Sequence, residues 1–299
     1  MTYTSRSIAA AQMNLPEDEA VLLVQGPDRP GLVAAISSVL ADFDANIVAL
    51  GQYSDDPQGG NFFQRTVLHL QDFAAIRPAL EDALAERVGE ALGLEWRLVD
   101  RSVPKRVALL ASTSDHCLLD LLWRQRRGEI PAIIPMVISN HTNVAEDVRS
   151  FGVPFFHVPS QGPDKSAAEA EILSLLKGNV DLVVLARYMQ ILSPDFIERL
   201  GVPIINIHHS FLPAFIGAGP YRKAKERGVK LIGATSHYVT QDLDEGPIIE
   251  QDVVRVTHVE TAGDLQRRGA DVERAVLSRA VLWHCEDRVI RNGRETIVF

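Results

Sequence analysis

The chain has 299 residues, 46% of them hydrophobic, enough for a sizeable buried core in about two domains. Thirty-nine acidic against 30 basic residues give a formal charge of −9, which argues against a nucleic-acid partner and leaves any anionic substrate to local basic groups such as Arg124-Gln-Arg126-Arg127 or Arg222-Lys223-Ala-Lys225. The longest apolar stretch, Ile130 to Ile138, contains two prolines and falls far short of the roughly 20 residues of a membrane span, and the N-terminus lacks the basic and apolar segments of a secretion signal, so a cytoplasmic protein with no membrane contact is expected.

In chain order, residues 1–18 read as an N-terminal extension. Ala20 to Val24 is a short apolar strand, and the breaker-rich turn Gly26-Pro-Asp-Arg-Pro-Gly31 leads into an apolar-periodic helix, Leu32 to Phe43. Asn46 to Tyr53 and Phe62 to Leu70 are strands joined by a hairpin segment rich in Pro and Gly. A helix over Ile76 to Leu92 and a strand over Leu94 to Val99 complete the order βαββαβ, which predicts a ferredoxin-like sandwich over residues 19–99. Asp100 to Arg106 is the linker, and residues 107–299 form the second domain.

There the pattern changes. Val107 to Ala111, Ala132 to Ser139, Phe155 to Val158, Asp181 to Ala186 and Pro203 to Ile207 are apolar, β-branched runs separated by helical segments near 116–127, 142–151, 166–177 and 194–200. Strands covered on both faces and alternating with helices predict a doubly wound, mostly parallel α/β domain, whose ligands bind beyond the carboxyl ends of the strands. Leu231 to Val239 and Ile248 to Val256 are further strands, and Thr261 to Asp287 is a long closing helix. Neither GxGxxG nor GxxxxGK[ST] occurs where nucleotide binding would need it. Cys117 and Cys285, far apart, offer no disulfide framework and no CxxC metal site.

Two polar segments interrupt the apolar strands. Pro203-Ile-Ile-Asn-Ile-His-His-Ser-Phe-Leu-Pro213 ends in an amide and imidazoles, and alternation along a strand points Asn206 and His208 to one face, with His209 in the turn. Ser236-His237-Tyr-Val-Thr-Gln-Asp242-Leu-Asp244-Glu-Gly246-Pro is a strand running into an acidic turn, and Asp244 joins the site if that loop folds back over Asn206 and His208.

The Asp28-Arg-Pro-Gly31 turn within βαββαβ resembles the ACT domain. That resemblance implies pairing with further copies into a homo-oligomer and an amino-acid effector held near Asp28, Arg29 and Gly31, with glycine or methionine as candidates. The structural alternative gives Gly31 only the tight turn. The segment from Asn206 to Gly217, with His237 and Leu243-Asp244-Glu-Gly-Pro247, resembles the folate-dependent formyltransferase domain shared by glycinamide ribonucleotide and methionyl-tRNA formyltransferases. It implies that Asn206, His208 and Asp244 are catalytic, with His237 orienting Asp244 or water. It also implies a folate substrate held at Met189, Gln190, Ile191, Leu192 and Gly217, the first four in a segment whose backbone meets the pterin ring. Gln190 stands where the glycinamide enzymes have arginine.

A glycine-rich, phosphate-holding turn after the first strand of this domain is replaced by Ala111-Ser-Thr-Ser-Asp-His-Cys-Leu118. Together with His116-Cys-Leu-Leu-Asp-Leu-Leu122 and the ACT-like domain, this resembles the formyltetrahydrofolate deformylase family over nearly the whole chain, with Thr113 where that family is expected to carry lysine. The resemblance implies hydrolysis of 10-formyltetrahydrofolate to formate and tetrahydrofolate, supplying formate for purine biosynthesis, with no metal and no cofactor. The alternatives are formyl transfer to an amine and a non-catalytic folate or amino-acid sensor.

Overall fold

A computed structural model describes residues 15–56, 58–160, 165–213 and 220–299. The chain divides into two units, one running to Pro104 and including residues 287–290 and 297–299, the other comprising residues 105–286 and 291–296.

The first unit runs β1 (Glu19–Pro27), α1 (Leu32–Ala41), β2 (Asn46–Ser54), β3 (Asn61–His69), α2 (Phe73–Leu84) and β4 (Glu95–Asp100), with a wider π-type turn over Ala85–Glu90 after α2. The sheet is antiparallel in the order β2-β3-β1-β4, as a ferredoxin-like sandwich requires. Ala20, Leu22 and Val24 meet Leu32, Ile36 and Leu40 of α1 and Leu80 and Leu84 of α2 on one face. The alternate residues Val21 and Leu23 of β1, with Phe63 and Val67 of β3, pack under Ile290, Ile297 and Phe299 on the other. Burial on both faces explains why Ala20 to Val24 is an unbroken apolar run instead of an alternating one.

The second unit runs β5 (Lys105–Ala111), α3 (His116–Arg126), β6 (Ala132–Ile133), β7 (Val137–Ser139), α4 (Ala145–Ser150), β8 (Phe155–His157), α5 (Ser166–Leu176), β9 (Leu182–Leu185), α6 (Pro194–Leu200), β10 (Ile204–His208), α7 (Pro220–Arg227), β11 (Leu231–Tyr238), β12 (Ile248–Arg255) and α8 (Ala262–Cys285). Its main sheet has the order β12-β11-β10-β9-β5-β7-β8, with β6 beside β5. From β10 to β8 neighbouring strands are parallel, and β11 and β12 add an antiparallel edge. Ile172 and Leu176 of α5 and Phe196 and Leu200 of α6 share a core with Ala108, Leu110, Val183 and Ile204 of the strands. The order reverses between β9 and β5, so the loops after β5 and β9 border the crevice where such sheets bind ligands, with the end of β10 beside it.

Four boundaries differ from the sequence expectation. The strand expected over 132–139 is two strands, because Pro135 has no N–H to give to a ladder. The helix expected from Ile76 begins at Phe73, whose N–H is capped by the Asp18 carboxylate at 3.1 Å. Asp100 ends β4 and Lys105 and Arg106 open β5, which leaves only residues 101–104 as the connection. The end of the chain, expected to lie wholly in the second domain, forms a hairpin of β13 (Val289–Asn292) and β14 (Glu295–Val298), and its residues 287–290 and 297–299 pack with the first unit.

Candidate active site

Strand pairing brings the expected residues together. β10 lies between parallel β9 and antiparallel β11, and in the second pairing Asn206 stands directly opposite His237. Cross-strand partners share a face, and His208, two residues beyond Asn206, shares it too. After β11 the chain turns back at Gly246, where a Cβ would fall 1.7 Å from the Tyr238 carbonyl oxygen; only glycine lets the loop lie this close to the strand. That turn returns Asp244, in a left-handed conformation at φ 57, to the two histidines.

His208 Nδ1 lies 3.2 Å from Asp244 Oδ2, and His237 Nε2 lies 3.6 Å from Asp244 Oδ1. His237 Nδ1 is 2.9 Å from the Tyr238 carbonyl oxygen, so that nitrogen carries a proton and donates it there. In the neutral ring Nε2 then accepts the N–H of Asn206 Nδ2 at 3.2 Å, which fixes the Asn206 amide with its nitrogen towards the histidine. His237 is 2% exposed, with its Nε2 facing both Asn206 and Asp244. The His208 hydrogen bond, the largest effect, holds the Asp244 carboxyl well below the usual carboxylate range against the opposing effect of burial. His208 is itself buried, and its Nε2 has no hydrogen-bond partner among the described residues.

These groups open into a cavity of about 300 Å³. Met189, Gln190, Ile191 and Leu192 line it, as does Leu243 on the opposite loop. Met189, Ile191 and Leu243 are 56%, 62% and 61% exposed and give the cavity an apolar rim. Ser112 donates to Asn140 Oδ1 and accepts the Met189 N–H at 3.0 Å, so the turn after β5 braces this wall. Gln190 accepts the Ser160 hydroxyl, and puts no charge at its position. Gly217 lies outside the described residues. Asp28, Arg29 and Gly31 belong to the first unit: Gly31, at φ 92, caps α1, and Arg29 donates to the Leu92 carbonyl oxygen. The two basic clusters are spent elsewhere, Arg124 on Asp120 and Glu129, and Lys225 on the carbonyls of His258 and Glu260.

The sequence reading missed a second group on the cavity wall. Arg187, after β9, lies 3.4 Å from the buried carboxylate of Glu273 on α8, which also takes hydrogen bonds from His116 at 2.8 Å and from Tyr221 at 2.5 Å. Burial raises the Glu273 pKa, but His116, the Arg187 charge and Tyr221 together bring it below the ordinary value, so the group is an ionised carboxylate. Cys117 sits within ligand distance of His116 and Glu273, yet burial and the Glu273 charge push its thiol well up, and the carboxylate is already committed to its neighbours. The available signal was Glu273 on the stripe of Leu265, Gly269, Val272, Val276 and Ala280, a charge where helical periodicity asks for an apolar residue.

Residues 105–281 match the formyl transferase family and residues 20–85 the ACT domain. A formyltetrahydrofolate deformylase of Mycobacterium tuberculosis (strain ATCC 25618 / H37Rv) is 60% identical over 278 residues, covering 93% of this chain and 90% of the relative. The chain belongs to the formyltetrahydrofolate deformylase family. A crystal structure of a deformylase from Pseudomonas syringae pv. tomato superposes with a TM-score of 0.89 at 44% identity, covering 95% of both chains. Glycinamide ribonucleotide transformylase 1 of Symbiobacterium toebii superposes with a TM-score of 0.62 at 36% identity, covering 66% of this chain and 94% of that one.

Proposed function

We propose that this chain hydrolyses 10-formyltetrahydrofolate to formate and tetrahydrofolate. The observation that carries the reading is the convergence of Asn206, His208 and Asp244 on one cavity, with His208 Nε2 unpartnered. The apolar rim of Met189, Ile191 and Leu243 takes the pterin, whose polar edge is met by the backbone of residues 190–192. An adjoining hollow of about 590 Å³ shares Ile191 and Leu192; on its wall Arg199 is paired with Asp195 and Glu169 adds a carboxylate, so Lys165 is the cation left to a folate's glutamate tail.

The formyl oxygen then faces the Asn206 amide and His208 Nε2. With Nδ1–H held on Asp244, His208 presents Nε2–H to the oxygen as negative charge develops there, and the second N–H of Asn206 adds to it. Water attacks the formyl carbon while Asp244 takes its proton and N10 of the leaving folate is protonated. The scheme uses side chains and water only, with no metal and no cofactor. The turn after β5 supports water as nucleophile: Ser112 is spent on Asn140 and Met189, and Asn143 on the Thr113 carbonyl, so this segment is bonded within the protein instead of standing open as a phosphate cradle.

The ACT-like unit we read as an assembly and effector module acting in the cytoplasm. Its edge strand β2 exposes Val48, Leu50 and Tyr53, an apolar strand edge that pairing with another copy would cover. An amino acid such as glycine or methionine is the effector this module would sense, beside Asp28 and Arg29. The deciding experiment measures formate release from 10-formyltetrahydrofolate with and without glycinamide ribonucleotide. Formate release independent of the amine is expected; formyl transfer as the main reaction would overturn the assignment.

A further inference from the structure

The scheme above leaves Arg187 unused. Its backbone, at φ 64, is a left-handed conformation that costs a non-glycine residue strain unless its surroundings hold it. Its side chain is 14% exposed, and neither Nε nor Nη1 makes a hydrogen bond among the described residues, although Nε faces Glu273. Guanidinium N–H groups are donors only, and burying them without an acceptor is unfavourable. Arg187 lines the cavity, where an acceptor placed against Nη1 relieves that cost.

The charges around Arg187 narrow the choice of ligand. Among the described residues that line the cavity, Arg187 is the one arginine or lysine, and Asp242 and Asp244 are carboxylates. His209, its ring stacked 5.2 Å from His208, is pushed down to about 4 by burial and then by the Arg187 charge, so it is uncharged at neutral pH. Hydrolysis makes an anion in this space. A bond forms between the water oxygen and the formyl carbon, and the bond from that carbon to N10 breaks. One water proton ends on N10, the other passes to solvent, and the product keeps one negative charge. His208, whose Nε2–H meets the developing oxyanion, is tied to Asp244, so Arg187, the permanent cation on the wall, is where the free product is held.

We propose that Arg187 forms a formate site in the catalytic cavity: the unpaired Nη1 of its guanidinium takes the product carboxylate once the carbon–nitrogen bond has broken, while Glu273, fixed by His116 and Tyr221 and facing Nε, positions the guanidinium. The source of the formate rests on the hydrolase reading, but the binding does not require turnover. The test titrates the full-length protein with 13C-formate, without folate, and follows the line width. Saturable binding is expected in the native protein. Arg187→Gln should weaken it at least about tenfold, Arg187→Lys less, and both should keep tetrahydrofolate binding within about threefold. No formate binding to native protein, equal binding in Arg187→Gln, or equal loss of both ligands overturns the site. Native crystals soaked in formate give a reading that needs no variant: a carboxylate bonded to Arg187 supports the site, and formate elsewhere in the cavity, or none, overturns it. Formate binding in a protein that releases none from 10-formyltetrahydrofolate would sink the hydrolase reading and leave the site standing.

Discussion

Asp244 joins the two ends of the chemistry, since it accepts from His208 and sits beside His237. Asp244→Asn keeps the shape and removes the negative charge, so turnover is expected to fall by about 10²–10⁴ with folate binding within a few fold, measured by formate release and by titration. Its depressed pKa also ties it to acid stability. The folded carboxyl titrates below its ordinary value of 3.8, so its contribution is fully present above that pH and wanes as acid takes the solution down through the folded value. In urea unfolding, the gap between native protein and Asp244→Asn should be constant near neutrality and close below pH 3.8. Asn206→Ala removes an oxyanion donor and should cost about 2.7–4 kcal/mol in the activation barrier, read from kcat; near-normal rates would exclude the role. Asn206 and His208 were legible because polar side chains end an otherwise apolar strand beyond which ligands bind. Arg187 was not, because an arginine after a strand reads as solvated surface until its distant partner Glu273 is known.

Among the elements, β11 does more than supply His237. Buried Thr235, opposite His208 in the ladder, donates to the Ser210 carbonyl at 2.9 Å and accepts from the Leu212 N–H at 3.0 Å and from Gln251 Nε2 at 2.9 Å. It therefore fastens the turn that follows the catalytic strand. Thr235→Val keeps the volume but strands these groups, and a loss of about 1–3 kcal/mol in urea unfolding is expected, together with reduced turnover. Thr235→Ser should restore both, which separates the hydroxyl from the packing. No sequence pattern marked this hub, since a threonine in a strand is ordinary β-propensity. The order of strands and helices was legible from periodicity, whereas the register that sets Asn206 against His237 is a property of two distant segments. The split between β6 and β7 was signalled by Pro135, and the closing hairpin by Asn292-Gly293 between alternating residues, a turn signal left unread.

At the scale of the whole molecule, the first unit is not one continuous segment, because Ile290, Ile297 and Phe299 cover Val21, Leu23, Phe63 and Val67. Deleting residues 297–299 uncovers that face and should cost about 1.5–3 kcal/mol for each apolar side chain whose burial is lost, as an upper bound for these partly buried residues, measured by thermal or urea unfolding. For the same reason a fragment starting at Arg101 carries apolar residues with their partners removed, and one covering 105–286 is the better-behaved test of independent folding. The domain boundary near residue 104 was legible from the change in pattern, but the return of the C-terminus was not, since nothing local names the face it covers. The same feature orders biosynthesis. A ribosome makes the N-terminal sheet before the second unit, yet the residues that close its second face leave the exit tunnel after every catalytic strand. The N-terminal unit is therefore begun before the catalytic unit and finished after it, and a nascent chain arrested before Ile290 should expose that sheet to protease although all of its own strands have been synthesised.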